Sequence, residues 1–145
     1  MNVQQLSIFL ENKQGRLAEV ANLLANAAIN IRTATLADTS DFGVVRLIVD
    51  DVDKAVDVLK EGGITAVKTD IVIVDTTDRP GGLAKVLNVI GKKNLNVEYL
   101  YSLGTRGERA YIALRFDDSE KAVAAFQESG VVVVSREDLK ALNMA

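Results

Sequence analysis

The chain opens with LSIFLE (residues 6–11), where apolar and polar positions alternate as in a half-buried strand. The period then changes from two to 3.6, because Leu17, Val20, Ala21 and Leu24 fall on one face of a helix. NIRTATLAD and GVVRLIVD follow as strands flanking TSDF, a predicted hairpin. DVDKAVDVLKEGG is a second amphipathic helix, ended by Gly62 and Gly63, and TAVKTD begins a further strand. The same order then recurs: IVIVDT, GGLAKVLNVIGKK, the strands LNVEYLYSL and RAYIALRFD around the turn TRGE, SEKAVAAFQESG, and VVVVS. SREDLKAL, with Ser135 at its N-cap, predicts a short terminal helix.

The recurrence is visible in the residues themselves. A shift of ~66 positions, longer than the periods of solenoid repeats, pairs two halves. It sets GRLAEVANLL against GGLAKVLNVI and AAINIRT against KNLNVEY, so Gly15 faces Gly81, Leu17 faces Leu83 and Asn30 faces Asn96. DKAVDVLKEGGI pairs with EKAVAAFQESGV after a slip of about one residue, which a hairpin loop absorbs. Each half therefore reads βαββαβ, the split βαβ or ferredoxin-like sandwich, in which two helices cover one face of a four-stranded antiparallel sheet. The fold class is α+β, with two tandem sandwiches spanning residues 1–69 and 70–145. No turn signal interrupts TAVKTDIVIVDT, so a nearly continuous strand or tight bend is expected between them. Ile112, Leu114 and Phe116 beside Tyr99 and Tyr101 offer more apolar surface than one small sandwich hides, and pairing of units or homodimerisation would use it.

Composition narrows the chemistry. The 145 residues are 48% hydrophobic, enough for a real core, and no apolar run approaches the length of a membrane span. The amino terminus lacks a basic segment followed by an apolar core, and a cytoplasmic protein without a membrane partner is expected. There is no cysteine and no histidine, which removes the thiol nucleophile, the usual base near neutral pH and the commonest zinc ligands. No Ser or Lys stands in a recognisable arrangement with an activating base, and Asp50 and Asp51 open a helix, where capping accounts for them. No catalytic residue, metal site or cofactor is expected. A net charge of −3 with Lys and Arg dispersed offers nucleic acid no basic stripe, and GVVRLIVD lacks the stacking aromatics of an RNA-binding sheet.

One motif remains. The chain's only proline precedes two glycines in DTTDRPGGLAKVL, after a strand and before a helix, and NKQGRLAEV repeats the arrangement. A helix beginning at such a turn has N–H groups with no acceptor inside the helix, and these can hold an anion. Taken with their flanks, ENKQGRLAEVANLLANAAINI and TDRPGGLAKVLNVIGKKNLNV resemble the ACT domain, a small regulatory module that binds amino acids. The resemblance covers both halves as tandem ACT domains, similar to the double-ACT proteins related to acetolactate synthase regulation.

That resemblance implies a ligand between ACT units, with the loop before the first helix on one side and the start of a neighbour's second strand on the other. A carboxylate would meet backbone N–H groups around Gly15 and Arg16, or Gly81 and Gly82, at the positive end of the helix dipole. Asn12 and Asp78 map to the position that accepts from the ammonium group. Asn30 and Asn96 map to the residue opening the second strand, and Leu17, Pro80 and Leu83 complete the implied ligand-binding set. Some ACT domains place histidine where this chain has Leu10 and Thr76, and Gln14 stands where the first loop would have proline, so the two sites need not be equivalent. Leu10 and its apolar neighbours favour a branched-chain amino acid. Each residue also has a plainer reading: small residues for the turn, Pro80 as a helix starter, Asn12 and Asp78 as N-caps, Asn30 and Asn96 as turn residues, the tyrosines as interface packing. The implied function is a non-catalytic amino-acid sensor; the alternative is a regulatory subunit docking on a biosynthetic enzyme such as acetohydroxyacid (acetolactate) synthase.

Overall fold

A computed structural model describes residues 2–38 and 41–145. The chain divides into two compact units whose bodies are Gln4–Thr69 and Asp70–Asn143. The first contains β1 (Val3–Glu11), α1 (Arg16–Asn26), β2 (Ile31–Asp38), β3 (Phe42–Val49), α2 (Val52–Glu61) and the beginning of β4 (Ala66–Thr77). The second takes the rest of β4, then α3 (Gly82–Lys92), β5 (Val97–Arg106), β6 (Arg109–Phe116), α4 (Ser119–Glu128), β7 (Val132–Val133) and α5 (Arg136–Ala141). Thr39 and Ser40 of the expected TSDF hairpin lie outside the described residues.

In the first unit the strands run β2-β3-β1-β4, and β3 is antiparallel to both β1 and β2. Leu6, Ile8 and Leu10 point to one face of β1 and stand beside Leu47, Val45 and Gly43 of β3. Val20 and Leu24 of α1 and Val52, Ala55 and Leu59 of α2 join them in a single apolar core. The second unit repeats this order as β5-β6-β4-β7, with Val72 and Val74 beside Leu114 and Ile112 under Val86, Ile90, Ala122 and Phe126. Phe116 and Phe126 meet edge to face, with ring centroids 5.9 Å apart. Each such apolar side chain contributes about 1.5–3 kcal/mol through removal from water.

Two expectations change here. Ile112, Leu114 and Phe116 are 7%, 0% and 0% exposed and form this core beneath the helices, so they are not spare surface. Tyr99 and Tyr101, which stand opposite Arg115 and Ala113 on the other face, stack on one another at 6.5 Å. The VVVVS strand shortens to Val132–Val133 as Val131 N–H is drawn back to Phe126 O, while Val134 N–H still donates to Ile73 O of β4.

The helix ends follow the repeat. Asp51 and Asp118 cap α2 and α4 by accepting from the N–H groups of Lys54 and Lys121. Helices α1, α2, α3 and α4 each close with the paired bonds of a Schellman turn; in α1 these run from Ile29 N to Leu24 O and from Ala28 N to Ala25 O. The left-handed residue of that turn is Ala28 in α1 and Asn94 in α3, at φ 58° and 52°. Ser135 and Asp138 form a reciprocal capping box at α5, as the expected N-cap requires.

Candidate functional site

Both β-to-α loops are built by the same backbone device. Gly15 (φ 86°) and Gly81 (φ 92°) occupy the N-cap positions of α1 and α3 in the left-handed region, which a residue with a Cβ enters at a cost. Neither helix has a side-chain cap, so Asn12 and Asp78 are not N-caps and Pro80 lies one position before the cap. Asn12 N donates to Asp41 O at 2.9 Å, and Asp78 N donates to Glu108 O at 2.9 Å. These bonds hold each loop against the hairpin leading into the unit's third strand.

The side chains then diverge. At the first loop the Glu11 carboxylate meets Lys13 Nζ at 2.7 Å and Arg16 at 3.6 Å, while Arg16 also reaches Glu19 at 3.1 Å. The Lys13 hydrogen bond, reinforced by the charges of Lys13 and Arg16, holds the Glu11 carboxyl below the usual carboxylate range. These exposed pairs add little stability, but they gather two cations at one place. Beside them Leu10, Glu11, Asn12, Lys13, Arg16, Leu17, Leu36 and Gly43 line a cavity of about 70 Å³. One water needs roughly 10–15 Å³ by the same kind of measure, so several waters or a small aliphatic group fit.

At the second loop the Thr76 hydroxyl is buried and donates to Gly82 O at 3.0 Å. Gly82 lies so close to β4 that a methyl on it would meet the Thr77 carbonyl oxygen. Arg79 pairs with Glu108 at 3.1 Å, and Arg109 with Asp75 at 2.6 Å. Asp75, Thr76, Thr77, Lys85, Arg109 and Gly130–Val132 border a cavity of about 60 Å³, and an open groove runs over Gly81, Lys85, Asn88 and Lys92.

Of the expected ligand residues, the first-unit cavity brings together Asn12, Arg16 and Leu17, with Gly15 setting the turn beside them. Pro80, Gly81, Gly82 and Leu83 share the second loop with Asp78, and Leu17 and Leu83 are exposed at equivalent positions. Asn30 and Asn96 are elsewhere. They open β2 and β5 beyond the far ends of α1 and α3, about 16 Å of helix from the loops within their own units. The Asn30 backbone exchanges bonds with Asp50, through Asn30 N to Asp50 Oδ1 at 3.1 Å and Asp50 N to Asn30 O at 3.2 Å. Leu36 and Gly43 line the first cavity without having been expected there. The available signal was an isolated leucine in the polar strand IRTATLAD, opposite a glycine-containing neighbour. Among the described residues no group of three or more acidic side chains could hold a metal ion, and no helix is long and apolar enough to cross a membrane.

A protein of Bacteroides thetaiotaomicron, BT0572, has a solved structure that is 38% identical in sequence and superposes with a TM-score of 0.89 over 96% of each chain. The ligand-free regulatory subunit of aspartate kinase from Thermus thermophilus shares the fold at 18% identity and a TM-score of 0.64, covering 88% of this chain and 92% of its own. The corresponding subunit from Thermus flavus does so at 19% identity and 0.61, covering 90% and 94%. No curated protein matches the chain. A family profile, described as the ACT domain pair, matches residues 1–143. With two βαββαβ units, a glycine-started helix after each first strand and this match over nearly its whole length, the chain belongs to the ACT domain pair family.

Proposed function

We propose that the protein is a non-catalytic amino-acid sensor made of two ACT domains, residues 1–69 and 70–145. The observation that carries this reading is the first-unit cavity, where a helix start, an amide side chain and apolar residues converge. The ligand's carboxylate sits at the α1 N-terminus near Arg16, its ammonium group is accepted by Asn12, and a branched aliphatic side chain lies against Leu10 and Leu17. Asn30 is a helix length from its own loop, so it contacts such a ligand only from a second copy of the chain, as a homodimer would provide. Ligand binding then favours one arrangement of the copies and, by linkage, changes affinity for whatever they regulate.

A thermal-shift series against the twenty amino acids tests this. A ligand at ~100 times its Kd stabilises the native state by about 2.7 kcal/mol. The shift is expected with one or a few amino acids and is lost in Asn12→Ala and Arg16→Ala. No shift with any of them, supported by silent calorimetric titrations, refutes the sensor. A second reading, a regulatory subunit docking on an enzyme such as acetohydroxyacid synthase, is favoured by Phe9 and Phe42, which are 73% and 53% exposed on the face of the first unit's sheet opposite the α1 and α2 core. Co-purification with a large catalytic subunit in the absence of amino acid supports it.

A further inference from the structure

The two loops have the same backbone and different linings, and strand register allows them to be compared residue by residue. In the first unit Ile8 stands beside Val45, and Val45 beside Leu36. In the second, Val74 stands beside Ile112, and Ile112 beside Ser102. Leu36 and Ser102 therefore occupy the same place in the two sandwiches, on the helix-covered face near the loop. Leu10 likewise corresponds to Thr76, and Gly43 to Ala110, because each pair lies one step further along the same ladders.

In the first unit the apolar side chains around the cavity are Leu10, Leu17 and Leu36, beside the charged groups of Glu11, Lys13 and Arg16, and Gly43 lets Leu36 lie down on β3: a methyl at Gly43 would stand 3.0 Å from Leu36 Cδ1. Leu36 remains 56% exposed, which leaves apolar surface for another apolar group to cover. In the second unit the hydroxyl of Thr76 is committed to Gly82 O, and Ser102 Oγ accepts from Gly104 N at 3.0 Å. Those hydroxyls replace two of the three leucines. An aliphatic group entering there would desolvate polar atoms and gain little apolar contact.

We propose that the loops are not equivalent: an amino acid with an aliphatic side chain binds at the first loop only, one per chain, and Leu36 on β2 is the residue that selects it. This rests on the amino-acid-sensor reading and adds its stoichiometry and selectivity. Leu36→Ser gives the first unit the side chain of the second, and its exposure keeps the substitution away from the core. Gly43→Ala provides an independent probe, because it keeps Leu36 and displaces it.

The experiment is isothermal titration of the protein and the variants Leu36→Ser, Gly43→Ala and Ser102→Leu with L-valine, L-leucine and L-isoleucine, with L-threonine and L-lysine as polar probes. The expected result is a stoichiometry of one aliphatic amino acid per chain, with at least ~10-fold weaker binding in Leu36→Ser, in line with the loss of several buried methylene contacts. Gly43→Ala shifts the preference among the three aliphatic ligands, and Ser102→Leu changes affinity less than about twofold. Two aliphatic ligands per chain, unaltered affinity in Leu36→Ser, or binding of the polar probes alone overturns the inference while leaving the sensor standing. Silence toward all five here overturns the inference, and silence toward all twenty amino acids in the thermal-shift series overturns the sensor as well.

Discussion

Replacing Gly82 by alanine sets local helix preference against packing. Gly82 is the first residue of α3, where exchange of glycine for alanine by itself favours the helix by up to ~1 kcal/mol. In this fold the new methyl would meet the Thr77 carbonyl oxygen, with the carbonyl carbon and the threonine hydroxyl oxygen each 3.2 Å away. Thr77 sits in register with Arg109 across the β4–β6 ladder, so the obstruction is backbone and gives way only if the strand or the helix moves. Forced overpacking costs about 1–3 kcal/mol, and a clash with backbone belongs in the upper part of that range, about 2–3 kcal/mol, so after a propensity gain of ~1 kcal/mol the net loss is about 1–2 kcal/mol. At about 2–4 °C per kcal/mol for a chain near this size, the melting temperature falls by roughly 2–8 °C. Equilibrium unfolding in urea followed by circular dichroism measures this as a lower midpoint at unchanged slope. Gly81→Ala is the control: its methyl meets nothing within 4 Å, so its loss of about 1–2 kcal/mol comes from the left-handed backbone alone. A Gly82→Ala protein as stable as the parent, or more so, refutes the packing argument.

Gly91 lies inside α3 with open space at its Cβ and no positive φ, so Gly91→Ala is expected to raise stability by about 0.5–1 kcal/mol in the same urea titration. Ala28 holds φ 58° at the end of α1, and Ala28→Gly relieves that strain for a gain of up to ~1 kcal/mol, read as a higher unfolding midpoint. Phe126→Ala empties a fully buried position against Phe116 and costs about 3–5 kcal/mol, enough to threaten folding, as a thermal scan will show. The Asp138 carboxyl is held below its ordinary value by the Ser135 hydroxyl first and the Ser135 N–H second. A depressed folded-state pKa adds stability above the unfolded value, and that stability is lost as pH falls through the folded one. Carbon-13 NMR titration should therefore show Asp138 ionising below the ordinary carboxylate range, and Ser135→Ala should move it upward.

The element order was legible because each helix carries its own apolar stripe and each turn its own glycines, and the duplication let every reading be made twice. Local patterns carried less about faces. Ile112, Leu114 and Phe116 alternate as an exposed sheet face would, and only the positions of α3 and α4 show that this alternation points into the core. VVVVS has strong strand preference, yet the Schellman turn of α4 claims its first N–H and leaves two residues in the ladder. The loop residues were found because Gly15 and Gly81 mark the turn in the chain itself. Leu36 was not, since its nearness to Leu10 and Leu17 depends on the register of β2 on β3, a long-range pairing invisible in a local window.

The tight seat of Gly82 has a consequence for how the two halves of this chain can change. The equivalent position in the first unit accommodates Arg16, whose guanidinium reaches out to Glu11 and Glu19. At Gly82 every side chain begins with the carbon that Thr77 excludes, so accepted substitutions there require an accompanying shift of the strand. One half of the duplication can thus explore new loop chemistry a single residue at a time, whereas the other is locked to its inherited solution. Functional novelty in such a pair should accumulate in the half whose backbone leaves room for a side chain.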